Sequence, residues 1–367
     1  MSWVLFSILG IYVIAIAFLI YGFSKVKKCQ KKDLKPQTSF TIIVPFRNEG
    51  ENLPNLLESF SKLNYPIDLF EVILVDDSSK EKFQILNCKF QVSIVDNIRV
   101  SNSPKKDAIS TAMKHVKTNW VITTDADCLV PENWLLTFDN YIQQNDVSML
   151  AGAVTYQCAD SFLDYFQQLD LTSLQGATIG SFGLKKAFMC NGANFAYTKS
   201  LFEKLNGFDG NNKIASGDDV FLLQKAANLF PDKVHYLKAK EAIVVTKPTE
   251  NWKSLFYQRV RWAAKTSSYQ SNFGKVLGLI VFFGNLSFVI GFFFFAFGIL
   301  PYPFFVLFAF LKFITDFVLL YKTNQFLTKT RIKSLVLSSL LYPFFSTSVA
   351  LYSLFGTYEW KGRRFGK

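Results

Sequence analysis

The sequence predicts an α/β domain with a largely parallel sheet, placed between hydrophobic segments that are long enough to cross a membrane. Between about residues 36 and 270, short apolar runs alternate with amphipathic stretches, as in domains whose strands and helices follow one another. Apolar segments of near-spanning length lie on both sides of this region. A mean hydropathy of +0.19 and 40 phenylalanines make the chain too apolar for an ordinary soluble protein.

The first 24 residues predict an N-terminal transmembrane helix. Trp3 to Phe23 is apolar almost throughout, with no basic stretch before it and no small-residue cleavage site after it, so an anchor is favoured over a signal peptide. Lysines follow at once, at positions 25, 27, 28, 31, 32 and 35. Because basic flanks stay on the cytoplasmic side, we expect a cytoplasmic domain at 36–270 in a protein of the inner membrane. The net charge of +12 then reflects membrane flanks and not nucleic acid.

The C-terminal part, residues 274–357, predicts two to three further spans. The candidate segments are Val276 to Gly298, Pro301 to Tyr321 and about Ser334 to Phe355. Simple alternation of the spans would place the basic tail at 358–367 outside, whereas a re-entrant hairpin at Pro343 would return it to the cytoplasm, which is the side that we favour. The sequence leaves the side of the C-terminus and the true span count open.

Within the central domain, four apolar runs predict strands and two amphipathic stretches predict helices. The predicted strands are Ser39 to Pro45, Phe70 to Asp76, Gln91 to Asp96 and Trp120 to Asp125, and the predicted helices are Leu53 to Leu63 and Asp107 to Val116. Ligands of such sheets gather at the carboxyl ends of the strands. The polar residues that end these runs are therefore expected to lie together.

Two acidic motifs stand out. Asp125 and Asp127 end a buried strand, and two like charges so close together cost stability unless a cation compensates. A divalent metal, Mg²⁺ or Mn²⁺, that also binds phosphate oxygens explains the pair. Asp218 and Asp219 precede apolar residues at helical spacing, so they are expected at the start of a helix, either as simple caps or as a general base.

A third motif, Gln258, Arg261 and Trp262, has the i, i+3, i+4 spacing of one helical face. An interfacial helix that places Tyr257, Arg259 and Trp262 at the headgroup level is also expected.

The order of these motifs, over about residues 39 to 265, resembles the family 2 glycosyltransferases with the GT-A fold, a Rossmann-like α/β fold. The resemblance is to membrane-bound members with a Gln-x-x-Arg-Trp motif, such as ceramide glucosyltransferases and polysaccharide synthases. It rests on Val-Asp-Asp-Ser-Ser at 75–79, Thr-Asp-Ala-Asp-Cys at 124–128, Gly-Asp-Asp at 217–219 and Gln-Arg-Val-Arg-Trp at 258–262.

The resemblance implies roles for residues on the donor side. Pro45, Phe46 and Glu49 would line the nucleotide pocket, in a strand-end turn that this family shares. Asp76 and Asp77 would bind the ribose and uracil of the donor. Lys105 would offset diphosphate charge, although Pro104 stands where the family has a glycine. Asp125 would act together with the metal at the diphosphate.

On the acceptor side, the resemblance places the general base at Asp219, with Asp218 where a glutamate is commoner. Gln258 and Arg261 would contact the diphosphate region, and Trp262 would pack near the acceptor. The implied enzyme is an inverting hexosyltransferase that uses a nucleotide sugar, expected to be a UDP-sugar.

The acceptor is expected to be a membrane lipid, because about four candidate spans are few for a polymer-secretion channel. Processive synthesis of a polysaccharide is the alternative, and a non-catalytic membrane scaffold is the alternative from another class. The sequence identifies neither the sugar nor the oligomeric state.

Overall fold

The computed structural model describes residues 2–30, 32, 34–85, 88–211, 214, 216–328, 330–360 and 363–365. The chain divides into two units. The first, which we call the sheet unit, comprises Lys27–Gln157 and Ala187–Lys247. The second, the helical unit, comprises Met1–Val26, Cys158–Lys186 and Pro248–Lys367.

The strands are β1 (Phe40–Phe46), β2 (Phe70–Asp76), β3 (Gln91–Asp96), β4 (Trp120–Thr123), β5 (Cys128–Leu129), β6 (Met149–Gly152), β7 (Val154–Tyr156), β8 (Phe195–Thr198), β9 (Val234–Leu237), β10 (Val244–Thr246), β11 (Tyr358–Trp360) and β12 (Arg363–Phe365). The helices are α1 (Ser2–Lys25), α2 (Leu53–Ser61), α3 (Pro104–Met113), α4 (Trp134–Gln144), α5 (Phe162–Gly183), α6 (Lys199–Lys204), α7 (Asp218–Leu229), α8 (Trp252–Ala264), α9 (Asn272–Ala296), α10 (Tyr302–Leu327) and α11 (Leu335–Phe355).

The main sheet of the sheet unit has seven strands in the order β3-β2-β1-β4-β8-β6-β9. Strands β3, β2, β1 and β4 are parallel to one another, β8 is antiparallel to both its neighbours, and β6 and β9 are parallel. The predicted α/β class with a mostly parallel sheet is therefore confirmed. A smaller sheet, in the order β5-β10-β7, lies in the same unit.

The central strands form because their side chains are apolar on both faces. In β1, Ile42, Ile43 and Val44 are fully buried, which is the burial expected of a parallel strand covered by helices. Helix α2 contributes Leu53, Leu56 and Phe60 to the same core at i, i+3 and i+7 spacing.

Two predicted boundaries in the sheet unit shift in ways that matter for the site. The helix expected from Asp107 begins at Pro104, where the fixed φ of proline suits the first helical turn. Lys105 therefore lies on a helix and not in a loop. The strand expected to reach Asp125 ends at Thr123, so that Asp125 stands in the following turn.

The helical unit contains four helices that are long and apolar enough to cross a membrane, namely α1, α9, α10 and α11. Helix α5 packs tightly on α1, since a Cβ built on Gly22 would lie 2.1 Å from the carbonyl oxygen of Gly180. Small residues at this contact allow the two backbones to approach closely.

Helix α11 continues through Pro343 from Leu335 to Phe355. The hairpin expected at this proline is therefore wrong. Within the predicted basic tail, β11 and β12 pair in antiparallel fashion, while residues 361, 362, 366 and 367 lie outside the described part of the chain.

Candidate active site

The acidic and basic residues of the sheet unit converge around Lys105, in the first turn of α3. Its Nζ lies 2.6 Å from Oδ1 of Asp125 and 3.6 Å from Oδ2 of Asp218. Burial alone would lower the pKa of Lys105, but the carboxylates of Asp125, Asp218 and Asp219 outweigh this effect and raise it above its ordinary value. Lys105 therefore remains protonated among three carboxylates.

Asp218 and Asp219 occupy the first turn of α7, where the helix dipole favours negative charge. Gly217, in the left-handed region at φ 86°, precedes them and turns the chain into the helix. Asp218 is buried and faces Lys105, whereas Asp219 is half-buried. Asp219 is thus the more accessible of the two carboxylates.

Gly192 brings these groups together. Its N–H donates to Oδ2 of Asp219 at 2.8 Å, and its carbonyl accepts from the hydroxyl of Thr123 at the end of β4. A Cβ at this position would lie 3.2 Å from Oδ2 of Asp218 and 3.3 Å from Nζ of Lys105. A side chain larger than hydrogen would therefore crowd the cluster.

Asn194 holds the turn that carries Gly192. It is fully buried, its amide donates to the carbonyls of Ala153 and Ala242 at 2.7 Å each, and its Oδ1 accepts from the indole of Trp134 at 3.0 Å. Because the side-chain amide uses both its donor and its acceptor atoms, it connects three segments of the sheet unit rigidly.

Asp76 and Asp77, at the end of β2, are both buried. Oδ1 of Asp76 accepts the backbone N–H of Ser79 at 2.8 Å. Oδ1 of Asp77 accepts from the amide of Asn97 at 2.7 Å and lies 3.4 Å from the guanidinium of Arg99. The two neighbouring aspartates therefore have different surroundings, and only Asp77 faces arginine side chains.

Arg47 approaches the same place from the end of β1. Its NH1 donates to the carbonyl of Asp77 at 2.9 Å and lies 3.9 Å from Oδ2 of that residue. Sequence reasoning assigned no role to Arg47, Asn97 or Arg99. The available signal was that each stands just after a predicted strand, where polar side chains meet in a parallel sheet.

The predicted pocket residues Pro45, Phe46 and Glu49 lie at the end of β1 and in the turn that follows. Phe46 is buried, and its carbonyl accepts the N–H of Asp77 at 2.9 Å. Oε2 of Glu49 accepts from the amide of Asn52 at 2.6 Å. The structure thus brings the β1 and β2 ends together, as predicted from the sheet topology.

The predicted metal residues supply two carboxylates. Asp125 and Asp127 are both half-buried, and the side chain of Asp125 is 38% exposed. No group of three or more His, Cys, Asp and Glu side chains suited to an ion occurs among the described residues. Two carboxylates fit Mg²⁺ or Mn²⁺ when phosphate oxygens and water complete the coordination.

In the helical unit, Gln258, Arg261 and Trp262 lie on α8 and are half-buried. Gln258 and Trp262 both contact Arg259. Gln258 accepts a hydrogen bond from its guanidinium, which also lies 4.2 Å from the centre of the Trp262 ring. Arg259 is itself buried in an ion pair with Asp170 of α5. Asp170 thus holds Arg259 inside the unit, and the position of α8 at the headgroup level stays a prediction.

Part of the chain is similar to known glycosyltransferases. Residues 41–206 match the family model described as Glycosyl transferase family 2. A probable glycosyltransferase of Bacillus subtilis, YdaM, is 25% identical over 286 residues, which are 74% of this chain and 66% of that protein. Glycosyltransferase AglE of Haloferax volcanii is 21% identical over 192 residues, 51% of this chain and 61% of that protein.

Among solved structures, the chain is similar to the mannosyltransferase PcManGT of Pyrobaculum calidifontis in complex with GDP-Man and Mn²⁺. The TM-score is 0.60 at 16% identity, over 96% of this chain and 98% of that one. This likeness confirms the GT-A fold. Residues 41–206 therefore resemble a family 2 glycosyltransferase domain, in a chain that has the GT-A fold. The chain spans about two thirds or less of the length of the curated relatives it matches.

Proposed function

We propose that the protein transfers a sugar from a nucleoside-diphosphate sugar to a hydroxyl group of a membrane lipid, with inversion at the anomeric carbon. The observation that carries this proposal is the cluster in which Lys105 faces Asp125, Asp218 and Asp219. It combines a cation for a diphosphate with carboxylates suited to hold a metal and to accept a proton.

Asp77 and its surrounding residues would bind the nucleoside. Its carboxylate can accept from a base N–H or a ribose hydroxyl. Arg47 and Arg99 keep the carboxylate in place and add positive charge at the nucleotide end of the site. We expect a uridine nucleotide, as the family resemblance implies, and the similar structure from Pyrobaculum holds a guanosine nucleotide.

Asp125 and Asp127 would hold a divalent metal together with the donor diphosphate. When bound, such an ion neutralises negative charge on the departing nucleoside diphosphate. Lys105 would supply further positive charge there, because its pKa keeps the ammonium protonated.

Asp219 would accept the acceptor's proton. A new bond forms between the hydroxyl oxygen and the anomeric carbon while the bond from that carbon to the diphosphate oxygen breaks, and the proton passes to the carboxylate. Asp219 suits this role better than Asp218, because it is the more accessible of the two and Asp218 faces Lys105.

The lipid acceptor is supported by the four helices of spanning length and by the packing of α8 against one of them, α11. An acceptor that lies in the bilayer would reach the enzyme laterally, beside an interfacial helix.

The test uses the detergent-solubilised full chain with Mg²⁺ or Mn²⁺, a panel of nucleotide sugars, and membrane lipid extract. Released nucleoside diphosphate and lipid products are measured. We expect lipid-dependent release with a discrete glycolipid, reduced about 10²- to 10⁴-fold by Asp219→Asn and much less by Asp218→Asn. A high-molecular-weight polymer would instead establish a polysaccharide synthase, and no release from any donor would favour a non-catalytic scaffold.

A further inference from the structure

The helical unit has an open, shallow apolar groove of about 410 Å³ between the first half of α8 and the middle of α11. We call it the α8–α11 groove. It is lined by Trp252, Phe256, Leu341, Phe344, Phe345 and Ser348. Its volume lies within the range of small-molecule sites, and Ser348 is the one polar residue in this lining.

Contacts between aromatic rings fix the side chains that line the groove. The ring of Trp252 lies 5.0 Å from that of Phe166 on α5, and Phe256 lies 6.2 Å from Phe345. On the other side, Phe344 lies 5.4 Å from Phe292 of α9. Each of these lining rings contacts a ring on another helix, so the groove is part of the packed structure of the unit.

The groove opens toward the surface that a bilayer would cover. Trp252 is 39% exposed, and Ser348 is also exposed. On α11, most of the residues that line the groove lie on one face of the helix, and exposed leucines extend this face in both directions. The face comprises residues at i, i+3, i+4 spacing, namely Leu337, Leu340, Leu341, Phe344, Ser348 and Leu351. Because α11 is long and apolar enough to cross a membrane, this face suits contact with lipid hydrocarbon.

The helix that forms one wall of the groove is basic. Helix α8 carries Lys253, Arg259 and Arg261 but no acidic residue. Arg259 is neutralised by Asp170, whereas Lys253 is exposed and directly follows Trp252 at the mouth.

A second lysine stands near the same end of the groove. Lys333, just before α11, lies 2.8 Å from the hydroxyl of Tyr165, the residue before Phe166. Its ion pair with Asp160 is exposed to solvent, so it is weak and can be exchanged for another anion. An apolar groove with lysines at its mouth complements an amphiphile that has a hydrocarbon tail and an anionic head.

We infer that the α8–α11 groove binds an acyl chain of an anionic phospholipid, and that the free hydroxyl of its headgroup is the sugar acceptor. This inference rests on the proposed function for the transfer itself. The phosphate of the lipid lies near Lys253 and Lys333. The headgroup oxygen forms the new bond to the anomeric carbon, the bond from that carbon to the nucleoside diphosphate breaks, and the hydroxyl proton passes to the general base.

Binding is tested by fluorescence quenching in vesicles that contain the full chain. The chain has six tryptophans, so the signal of Trp252 is taken as the difference between the wild type and Trp252→Phe. The probes are phosphatidylglycerol and diacylglycerol with the same brominated acyl chains, which differ in charge and both carry a hydroxyl. We expect stronger quenching of Trp252 by phosphatidylglycerol at equal mole fraction.

Two variants probe the groove and its charge, each with a matched control. Ser348→Phe fills part of the groove and should remove the quenching of Trp252, whereas Leu351→Phe, one turn away on the same exposed face, should not. Lys253→Glu should reduce the preference for phosphatidylglycerol about fivefold or more, as expected for a basic side chain at an anionic lipid surface. Lys275→Glu, an exposed lysine in the first turn of α9, should leave the preference unchanged.

Transfer is measured on the same samples with each lipid as acceptor. Equal quenching by both probes, or quenching that survives Ser348→Phe, would overturn the inference. If lipid products form at the same rate with Ser348→Phe, the inference fails and the proposed function stands. If phosphatidylglycerol occupies the groove but no donor yields a lipid product, the proposed function fails, and with it the assignment of the bound lipid as acceptor.

Discussion

Nζ of Lys105 lies 2.6 Å from Oδ1 of Asp125, so a protein cation already compensates the carboxylate that we assign to the metal. The same ammonium lies 3.6 Å from Asp218, in the first turn of another helix. Lys105 therefore connects the proposed metal end of the site with its proposed base end. A metal that binds Asp125 must share this carboxylate with the lysine.

Replacing Lys105 by methionine should leave Asp125 and Asp218 without this cation. We expect a loss of about 1–3 kcal/mol in the free energy of unfolding, less than for a fully buried pair because Asp125 is 38% exposed. Donor binding should weaken as well. Chemical unfolding and nucleotide titration of the detergent-solubilised chain measure both effects. Lys105→Arg, which keeps the charge, should lose less, and equal losses for the two variants would contradict the electrostatic role.

Asp77→Ala should weaken nucleotide binding by about 10- to 100-fold, because it removes a charged hydrogen-bonding group from the proposed nucleoside end of the site. Titration with UDP and GDP measures the change. Asp96→Ala is the matched control, since Asp96 ends the neighbouring strand in register with Asp76 but its side chain is 78% exposed. Equal affinity of the two variants would refute the assignment of Asp77.

Asp170→Ala should destabilise the helical unit by about 3–5 kcal/mol, because it leaves the guanidinium of Arg259 buried without its carboxylate. Glu58→Ala removes an exposed i, i+4 partner of Lys62 and should cost no more than about 0.5 kcal/mol. Denaturant unfolding followed by tryptophan fluorescence compares the two. A small loss for Asp170→Ala would mean that Arg259 finds another partner or reaches water.

The thiol of Cys158 should react slowly with iodoacetamide. Burial, with a further contribution from the carboxylate of Asp164, raises its pKa to about 11. Because the thiolate is the reactive form, alkylation at pH 8 should be about 100-fold slower than for an unperturbed thiol and should rise about tenfold per pH unit towards pH 11. Peptide mass spectrometry follows this cysteine alone. Asp164→Asn should speed the reaction, and a rate that levels off below pH 9 would contradict the raised pKa.

Several elements could be predicted because their signals are local. Phe70–Asp76 and Gln91–Asp96 have the predicted bounds, since each is an extended run that ends at an aspartate. The four helices of spanning length follow from apolar length alone. The order of the motifs likewise predicted the GT-A fold, through the resemblance to the family 2 glycosyltransferases.

Other features had no local signal. Arg99 meets Asp77 across 22 positions of sequence and Arg259 meets Asp170 across 89, and no spacing rule joins residues so far apart. The break expected at Pro343 failed for a related reason. A proline in a membrane helix is tolerated where neighbouring groups compensate for the lost hydrogen bond, and the pattern of a single segment does not reveal such neighbours.

By itself, the sequence therefore determined the α/β class, the helices of spanning length and the identity of the acidic motifs, because these depend on local pattern and on the order of strands. The tertiary structure alone decided that Lys105 compensates Asp125 and Asp218, that Asp170 buries Arg259, and that α8 and α11 enclose an apolar groove. These features arise from side chains that are distant in the chain, and their energies depend on the burial that packing creates.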